Sequence, residues 1–317
     1  MSRKIIAITL NSAVDKIIRI EKIKSRHVIE SDEHFAFPSG KAMNSAKTLE
    51  SLETKVTGIC FVGENDYNFF SQLNSSHIKL KLFKVFGNTR NNITLIDRNH
   101  SLIAHLKTSG YTLSEIDLEY LYAALNKIVK SNDIIILSGS LPRGVPVNSY
   151  RTLIEYFNKK GSKVVFDSSK LFLKEGIKAK PYLAKPNIKE LADITNGTFS
   201  REKDIVNAAK AINRMGIELV FVSRGAKGVI VTQNNRSGYW IGGIQSRLDN
   251  IQGNEIGCGD AMVGGISFGL YHNYDTENLI NIAVATGTAN LLKMGPGLCN
   301  AQDVKHLQER ISIQFKQ

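Results

Sequence analysis

The chain has 317 residues, 42% of them hydrophobic and 22% charged, the balance of an ordinary soluble globular enzyme with room for one large or two smaller domains. Lysine and arginine exceed the acids by 41 to 29, a formal charge of +12. Such a surplus attracts polyanions, nucleic acid and phosphorylated small molecules alike. The basic residues are scattered and lack the interleaved aromatics of a stacking platform, which argues against nucleic acid as partner. No run reaches the roughly 20 apolar residues of a membrane span. Cys60, Cys258 and Cys299 are an odd count without metal spacing, which favours a reducing compartment, the cytoplasm.

In chain order, Ile5–Leu10 is a short β-branched run behind Arg3 and Lys4, too short for a signal peptide and read as a buried strand. It runs directly into Asn11-Ser12-Ala13-Val14-Asp15. Segments 17–20 and 28–37 alternate without a long helix between them. Ser39-Gly40-Lys41-Ala42-Met43-Asn44 opens a helix predicted over Ala42–Leu52, and Val56–Val62 is the next strand. Gly87-Asn88-Thr89-Arg90 precedes a hairpin over Asn92–Leu106 with its turn at Asp97-Arg98-Asn99-His100. Helix Ser114–Lys130, strand Ile134–Leu137 with Ser138-Gly139-Ser140-Leu141-Pro142 behind it, helix Val147–Lys160 and strand Val164–Asp167 follow. Lys185-Pro186-Asn187-Ile188-Lys189-Glu190 starts a helix, Glu202–Met215 is another, and strand Leu219–Ser223 leads into Arg224-Gly225-Ala226-Lys227-Gly228. Helices are predicted over Asp260–Tyr271, Glu277–Lys293 and Ala301–Ile311. The alternation implies a parallel sheet with helices on both faces. The two irregular regions suggest a small antiparallel sheet that needs a ligand or a second subunit to cover it.

The segment Gly257-Cys258-Gly259-Asp260-Ala261-Met262 carries the most chemistry. Two glycines let the backbone turn tightly and approach a ligand, and the helix behind them offers free N–H groups and a positive dipole end to an anion. Asp260 there either caps the helix or sits beside a bound phosphate and accepts a proton from an attacking hydroxyl. The other polar segments can each be read as turns or caps; their joint placement at strand ends is what that reading does not explain. A P-loop is excluded because Phe35 stands where its first glycine should be and Ala42 follows Gly40-Lys41. A dinucleotide fingerprint fails at Met262, and neither a zinc motif nor a Gly-x-Ser-x-Gly elbow occurs.

The ordered series Asn-x-Ala-x-Asp, Gly-Lys-x-x-Asn, Asn-Thr-Arg, Ser-Gly-Ser-Leu-Pro, Lys-Pro-Asn-x-x-Glu, Ser-x-Gly-x-x-Gly and Gly-x-Gly-Asp resembles the PfkB, ribokinase-like sugar kinases over essentially the whole chain. The similarity is closest to their 1-phosphofructokinase and tagatose-6-phosphate kinase branch. The resemblance implies a three-layer α/β/α sandwich, one kinase domain over 1–317 with lid strands inserted at about 12–37 and 87–107. It implies ATP and Mg²⁺ as cofactors, a phosphorylated ketose as substrate, fructose 1-phosphate before tagatose 6-phosphate, and a homodimer paired through the lid. Asp260 resembles the catalytic base, with Gly257, Cys258 and Gly259 the anion hole. Asp15, Gly40, Asn44 and Ser138 resemble sugar ligands, and Lys41 and Arg90 resemble the cations on the sugar's phosphate. Lys185, Asn187, Ser223, Gly225, Gly228, Gly257 and Gly259 resemble nucleotide-site residues, with Asn187 and Glu190 organising the metal through water.

The sequence departs from the family pattern where Ser12 replaces Pro, Ala42 replaces Gly, Cys258 replaces Ala and Arg224 replaces Leu. Ala42 would be strained if its position needs φ > 0. A thiol at a helix start can have a depressed pKa, so Cys258 is either a small filler or a site of inhibitory oxidation. Arg224 is a candidate contact for nucleotide phosphate. The competing reading is a sugar-phosphate-binding regulator that has lost catalysis, against which the intact Asp260, Asn187 and Glu190 weigh.

Overall fold

The computed structural model describes residues 3–21, 28, 30–31, 33–97, 102–245, 248, 251 and 255–317. In chain order the elements are strands β1 (Ile5–Thr9), β2 (Ala13–Arg19) and β3 (Glu33–Ser39), helix α1 (Lys41–Ser51), β4 (Val56–Gly63), α2 (Tyr67–Ser71), β5 (Ile78–Val85), β6 (Arg90–Ile96) and β7 (Leu102–Lys107). Then come α3 (Glu115–Ile128), β8 (Ile134–Ser138), α4 (Ser149–Lys159), β9 (Lys163–Asp167), α5 (Lys170–Ile177), β10 (Leu183–Ala184), α6 (Ile188–Thr195) and α7 (Glu202–Arg214). The chain continues through β11 (Leu219–Ser223), β12 (Val229–Gln233), β13 (Tyr239–Ile244), α8 (Cys258–Tyr271), α9 (Thr276–Ala289), α10 (Ala301–Gln308) and β14 (Ile311–Lys316).

Ten strands form one sheet in the order β14-β13-β12-β11-β10-β9-β8-β1-β4-β5. The seven from β11 to β5 are mutually parallel, and β12, β13 and β14 add on antiparallel. Burial on both faces explains why inner strands such as β1 and β8 read as unbroken apolar runs. Ile6, Ile8, Ile135 and Phe166 pack under α3, α4, α5 and α7, while Ile5, Ala7, Ile134 and Val165 pack under α1, α8 and α9. Alternate residues of one strand thus serve two cores, and the helices form the outer layers. The last predicted helix is shorter than its periodicity suggested: α10 ends at Gln308, and Ile311, Ile313 and Phe315 alternate along β14, pairing residue for residue with β13.

The small sheet has the order β3-β2-β6-β7. Its two outer pairings are antiparallel, but its central pairing, β2 with β6, is parallel, Ala13 opposite Arg90 and Asp15 opposite Asn92. The hairpin expected over Asn92–Leu106 is the β6–β7 pair. Of its expected turn, Arg98, Asn99 and His100 lie outside the described residues, as do Ile29 and Asp32 of the segment read as a strand over 28–37.

Candidate active site

A cleft of about 1080 Å³ opens where the carboxyl ends of the parallel strands face the small sheet. Asp15, Arg90, Asn92, His105 and Lys107 line it from the small sheet, and Gly40, Lys41 and Asn44 line it from the start of α1. Asp167, Lys185, Asn187, Glu190, Ser223, Gly225, Gly228 and the Gly257–Asp260 turn complete its polar wall. Ile244, Leu248, Ile251, Met262, Val284 and Leu291 give one end an apolar lining. The cleft therefore gathers every residue to which the family resemblance gives a role, except Ser138. Ser138 is buried at the end of β8, off the cleft wall, where its backbone carbonyl accepts a 3.4 Å bond from the Tyr150 hydroxyl.

Gly257 precedes the first turn of α8 with φ 93°, and a Cβ there would come within 2.5 Å of Pro296 Cα. Only glycine meets both demands, and the turn it makes brings Gly257 to Asp260 onto the cleft wall. Asp260 lies in that first turn, 8% exposed. Asn44 Nδ2 donates to its Oδ2 at 2.8 Å, and Ser45 Oγ donates to its backbone carbonyl at 2.8 Å. Its carboxylate does not cap the helix; it points across to α1. Burial pushes the Asp260 carboxyl up to about 6, with Asp167 adding to the rise and Lys41, Asn44 and Lys185 opposing it.

A carboxylate that belongs to none of the motifs organises the cations. Asp167, 1% exposed at the end of β9, accepts from Lys41 Nζ at 3.2 Å and lies 3.5 Å from Lys185 Nζ. Burial alone would push Asp167 up, but Lys185 and Lys41 hold it below the usual carboxylate range. Burial works to lower Lys41, yet Asp167, Asp260 and Glu190 together raise it, and its side chain remains 37% exposed at the cleft. Lys185 reaches toward α8, its Nζ 3.5 Å from where a Cβ on Gly259 would sit. Asn187 and Glu190 cap α6 reciprocally: Glu190 N donates to Asn187 Oδ1 at 2.8 Å and Asn187 N donates to Glu190 Oε2 at 2.9 Å. Burial and Asp167 raise the Glu190 carboxyl.

On the small sheet, Asn92 Nδ2 donates to Asp15 Oδ1 at 2.6 Å, and Arg90 Nη2 donates to the Asn11 carbonyl at 3.2 Å. Burial, with Arg90 and Lys41 nearby, lowers the Lys107 ammonium. Asn92, His105 and Lys107 carry no signal in the sequence, because only strand register brings them beside Asp15.

The structure places each of three departures from the family pattern. Ala42 sits in the first turn of α1 and is absent from the non-glycine residues with positive φ, so it carries no backbone strain; Gly40, with φ 138°, takes that conformation instead. Burial pushes the Cys258 thiol up to about 12, the reverse of the depression a helix start alone would give. Arg224 turns away from the cleft toward Glu202.

Residues 6–303 match the pfkB family carbohydrate kinase profile. The chain is 28% identical to the 1-phosphofructokinase of Vibrio cholerae, over 99% of this chain and 97% of the relative. It is 30% identical to that of Escherichia coli strain K12, over 99% of each. Its fold matches the crystal structure of phosphofructokinase-2 from Escherichia coli in complex with potassium with a TM-score of 0.88, at 24% identity over 98% of this chain and 99% of that one. No helix among the described residues is long and apolar enough to cross a membrane. The motif series, the carboxylate at the glycine-framed helix start and the full-length similarity converge: the chain belongs to the pfkB family of carbohydrate kinases and is an enzyme of that kind.

Proposed function

We propose that this kinase transfers the terminal phosphoryl group of ATP to a hydroxyl of a phosphorylated ketose, with fructose 1-phosphate the first candidate and fructose 1,6-bisphosphate its product. The observation that carries the reading is Asp260, a cleft carboxylate with its pKa pushed up to about 6, in the first turn of an α-helix whose glycine-framed start lines the same cleft. Near that value a carboxylate is both largely ionised at neutral pH and basic enough to take a hydroxyl proton. The Gly257–Gly259 turn lines the cleft beside Asp260, where negative charge would gather on the transferring group. Asp15 and Asn44 are suited to sugar hydroxyls, Arg90 and Lys41 to the sugar's phosphate, and Ser223, Gly225 and Gly228 to the nucleotide. Full-length relatives named 1-phosphofructokinase support the substrate choice.

The donor set fits a magnesium ion that keeps most of its water. Among the described residues no three His, Cys, Asp or Glu side chains converge on one point. Asn187 Oδ1 and Glu190 Oε2 are already engaged in the helix cap. These two residues would therefore hold the ion through water, its remaining ligands coming from the nucleotide phosphates. When bound, the ion neutralises phosphate charge.

The small sheet offers a face for a second copy of the chain. Asp15, Asn92, His105 and Lys107 face the cleft, so by alternation Lys16, Ile18, Ile93, Leu95 and Leu106 face the other way. Leu106 is 53% exposed there. Pairing of two such faces into a homodimer would cover Ile18, Ile93, Leu95 and Leu106.

The deciding experiment is a coupled assay of ATP consumption over fructose 1-phosphate, fructose 6-phosphate, tagatose 6-phosphate and their unphosphorylated sugars. Turnover confined to phosphorylated ketoses, highest with fructose 1-phosphate, is the expected result. Tight sugar-phosphate binding without turnover of any of them would instead make the chain a regulator.

A further inference from the structure

The turn between β11 and β12 has two sides. Ser223, Gly225, Ala226 and Gly228 line the cleft. Arg224 leaves the other side, and its side chain is 11% exposed. Arg224 Nη2 donates to the Lys227 carbonyl at 2.8 Å, so the guanidinium closes the turn from behind. Arg224 Nη1 lies 3.5 Å from Glu202 Oε2, at the start of α7. The other oxygen of Glu202 accepts from the Tyr239 hydroxyl at 3.1 Å and from Lys316 Nζ at 3.0 Å. Tyr239 and Lys316 are directly opposite each other in the β13–β14 register. One carboxylate thus joins four separate pieces of chain: the turn, α7, β13 and β14.

An isolated exposed ion pair is worth little. This one differs because the guanidinium is largely buried and its Nε has no hydrogen-bond partner, so loss of Glu202 would leave a desolvated cation behind the turn. Arg224 would then swing toward water or the cleft, and the turn would lose the bond from Arg224 Nη2 to Lys227. The same turn is anchored on its near side by Ser223 N donating to the Pro186 carbonyl at 3.0 Å, one residue before Asn187. Its shape therefore bears on both ends of the nucleotide's polar wall.

We propose that Glu202 is a positioning residue for nucleotide binding: by gripping Arg224 from behind, with Lys316 as its second cation, it fixes the Ser223–Gly228 turn in the form that receives the nucleotide. The proposal rests on the kinase reading above. It predicts an effect on one substrate only, since Glu202, Arg224 and Lys316 are absent from the cleft wall.

The test compares Glu202→Ala, Glu202→Gln, Lys316→Ala and Lys316→Arg with the unaltered protein, by steady-state kinetics and by calorimetric titration with MgATP. Glu202→Ala is expected to raise the KM and the calorimetric Kd for MgATP about tenfold, with kcat and the KM for the phosphosugar within about twofold. Lys316→Ala should raise the MgATP KM about threefold, and Lys316→Arg should restore it. If Glu202→Ala does not fold, Glu202→Gln and Lys316→Ala decide the matter. Unchanged MgATP affinity in folded variants overturns the proposal and leaves the kinase reading intact. A joint change in kcat and both KM values also overturns it, because that marks a general structural role. Absence of MgATP binding by the unaltered protein overturns the kinase reading, and this proposal with it.

Discussion

Asn44 and Asp260, 216 residues apart in sequence, share one hydrogen bond of 2.8 Å between the start of α1 and the start of α8. The bond stabilises the ionised form of Asp260 against the burial that pushes its carboxyl up to about 6. Removing the donor, as in Asn44→Leu, raises the Asp260 pKa further. The acid limb of kcat/KM against pH should then move to higher pH, by about one pH unit for the loss of one such bond to a charged group. An acid limb that stays in place would detach Asp260 from the pH profile.

Asp260→Asn should lower kcat at least about 10²-fold while leaving MgATP binding intact. It should also stabilise the fold at neutral pH. The folded-state pKa of Asp260 is raised, so its contribution is most favourable below the unfolded value and is lost as pH rises through about 6. At roughly 1.4 kcal/mol per pH unit, the rise from 3.8 to about 6 makes ionising it in the fold cost on the order of 3 kcal/mol, part of which Asn releases. The Tm of the variant should exceed that of the parent at pH 8, and the gap should close toward pH 4.

Arg90→Ala should raise the KM for the phosphosugar roughly 10- to 100-fold, as expected for one charge-assisted contact, with the KM for MgATP unchanged. The same substitution removes the bond to the Asn11 carbonyl, so a thermal melt must accompany the kinetics. An unchanged phosphosugar KM takes Arg90 out of the sugar site.

Asp167→Asn should be among the most destabilising single changes in the cleft, by roughly 3–5 kcal/mol, because it leaves Lys185, 4% exposed, without its carboxylate. The Asp167 pKa is depressed in the fold, so its contribution is present above the ordinary carboxyl pKa and is lost as pH falls through the folded value. Chemical denaturation at pH 7 and at low pH checks both points: the parent and the variant should converge in acid.

Cys258→Ala should keep kcat within about twofold. With its thiol pushed up to about 12, Cys258 holds little thiolate at neutral pH and should react with iodoacetamide more slowly than an ordinary exposed thiol. Rapid inactivation by the reagent, prevented in Cys258→Ala, would contradict this.

Much of this architecture can be read in the residues because local signals agree. The strand Leu219–Ser223 has the bounds its β-branched run predicts, and Glu202 opens its helix where periodicity begins. Gly257 to Asp260 announce a helix start in the sequence itself. Asp167 does not: it ends a strand as an ordinary acidic residue, and only the convergence of β9, β10 and α1 gives it two lysines. Strand β10 has two residues, too few for any pattern. Ile311, Ile313 and Phe315 do carry a period-two signal, but it abuts α10 and merges with the helical period. Arg224 reads as a ligand because its neighbours are turn residues; which way a side chain leaves a turn is set by what waits on each side, here Glu202.

The parallel seam between β2 and β6 has a mechanical result. Asp15 and Asn92 are cross-strand neighbours on it, and Arg90 stands opposite Ala13 one pleat away. Groups suited to the sugar's hydroxyls and to its phosphate are thus bolted to a single plate, although one strand precedes α1 and the other follows β5. If that plate rocks over the cleft, it carries the acceptor as a tray carries a cup, without changing the spacing between the two grips. An acceptor gripped as proposed would then move relative to Lys41, Asn44 and Asp260, which stand on α1 and α8 rather than on the plate.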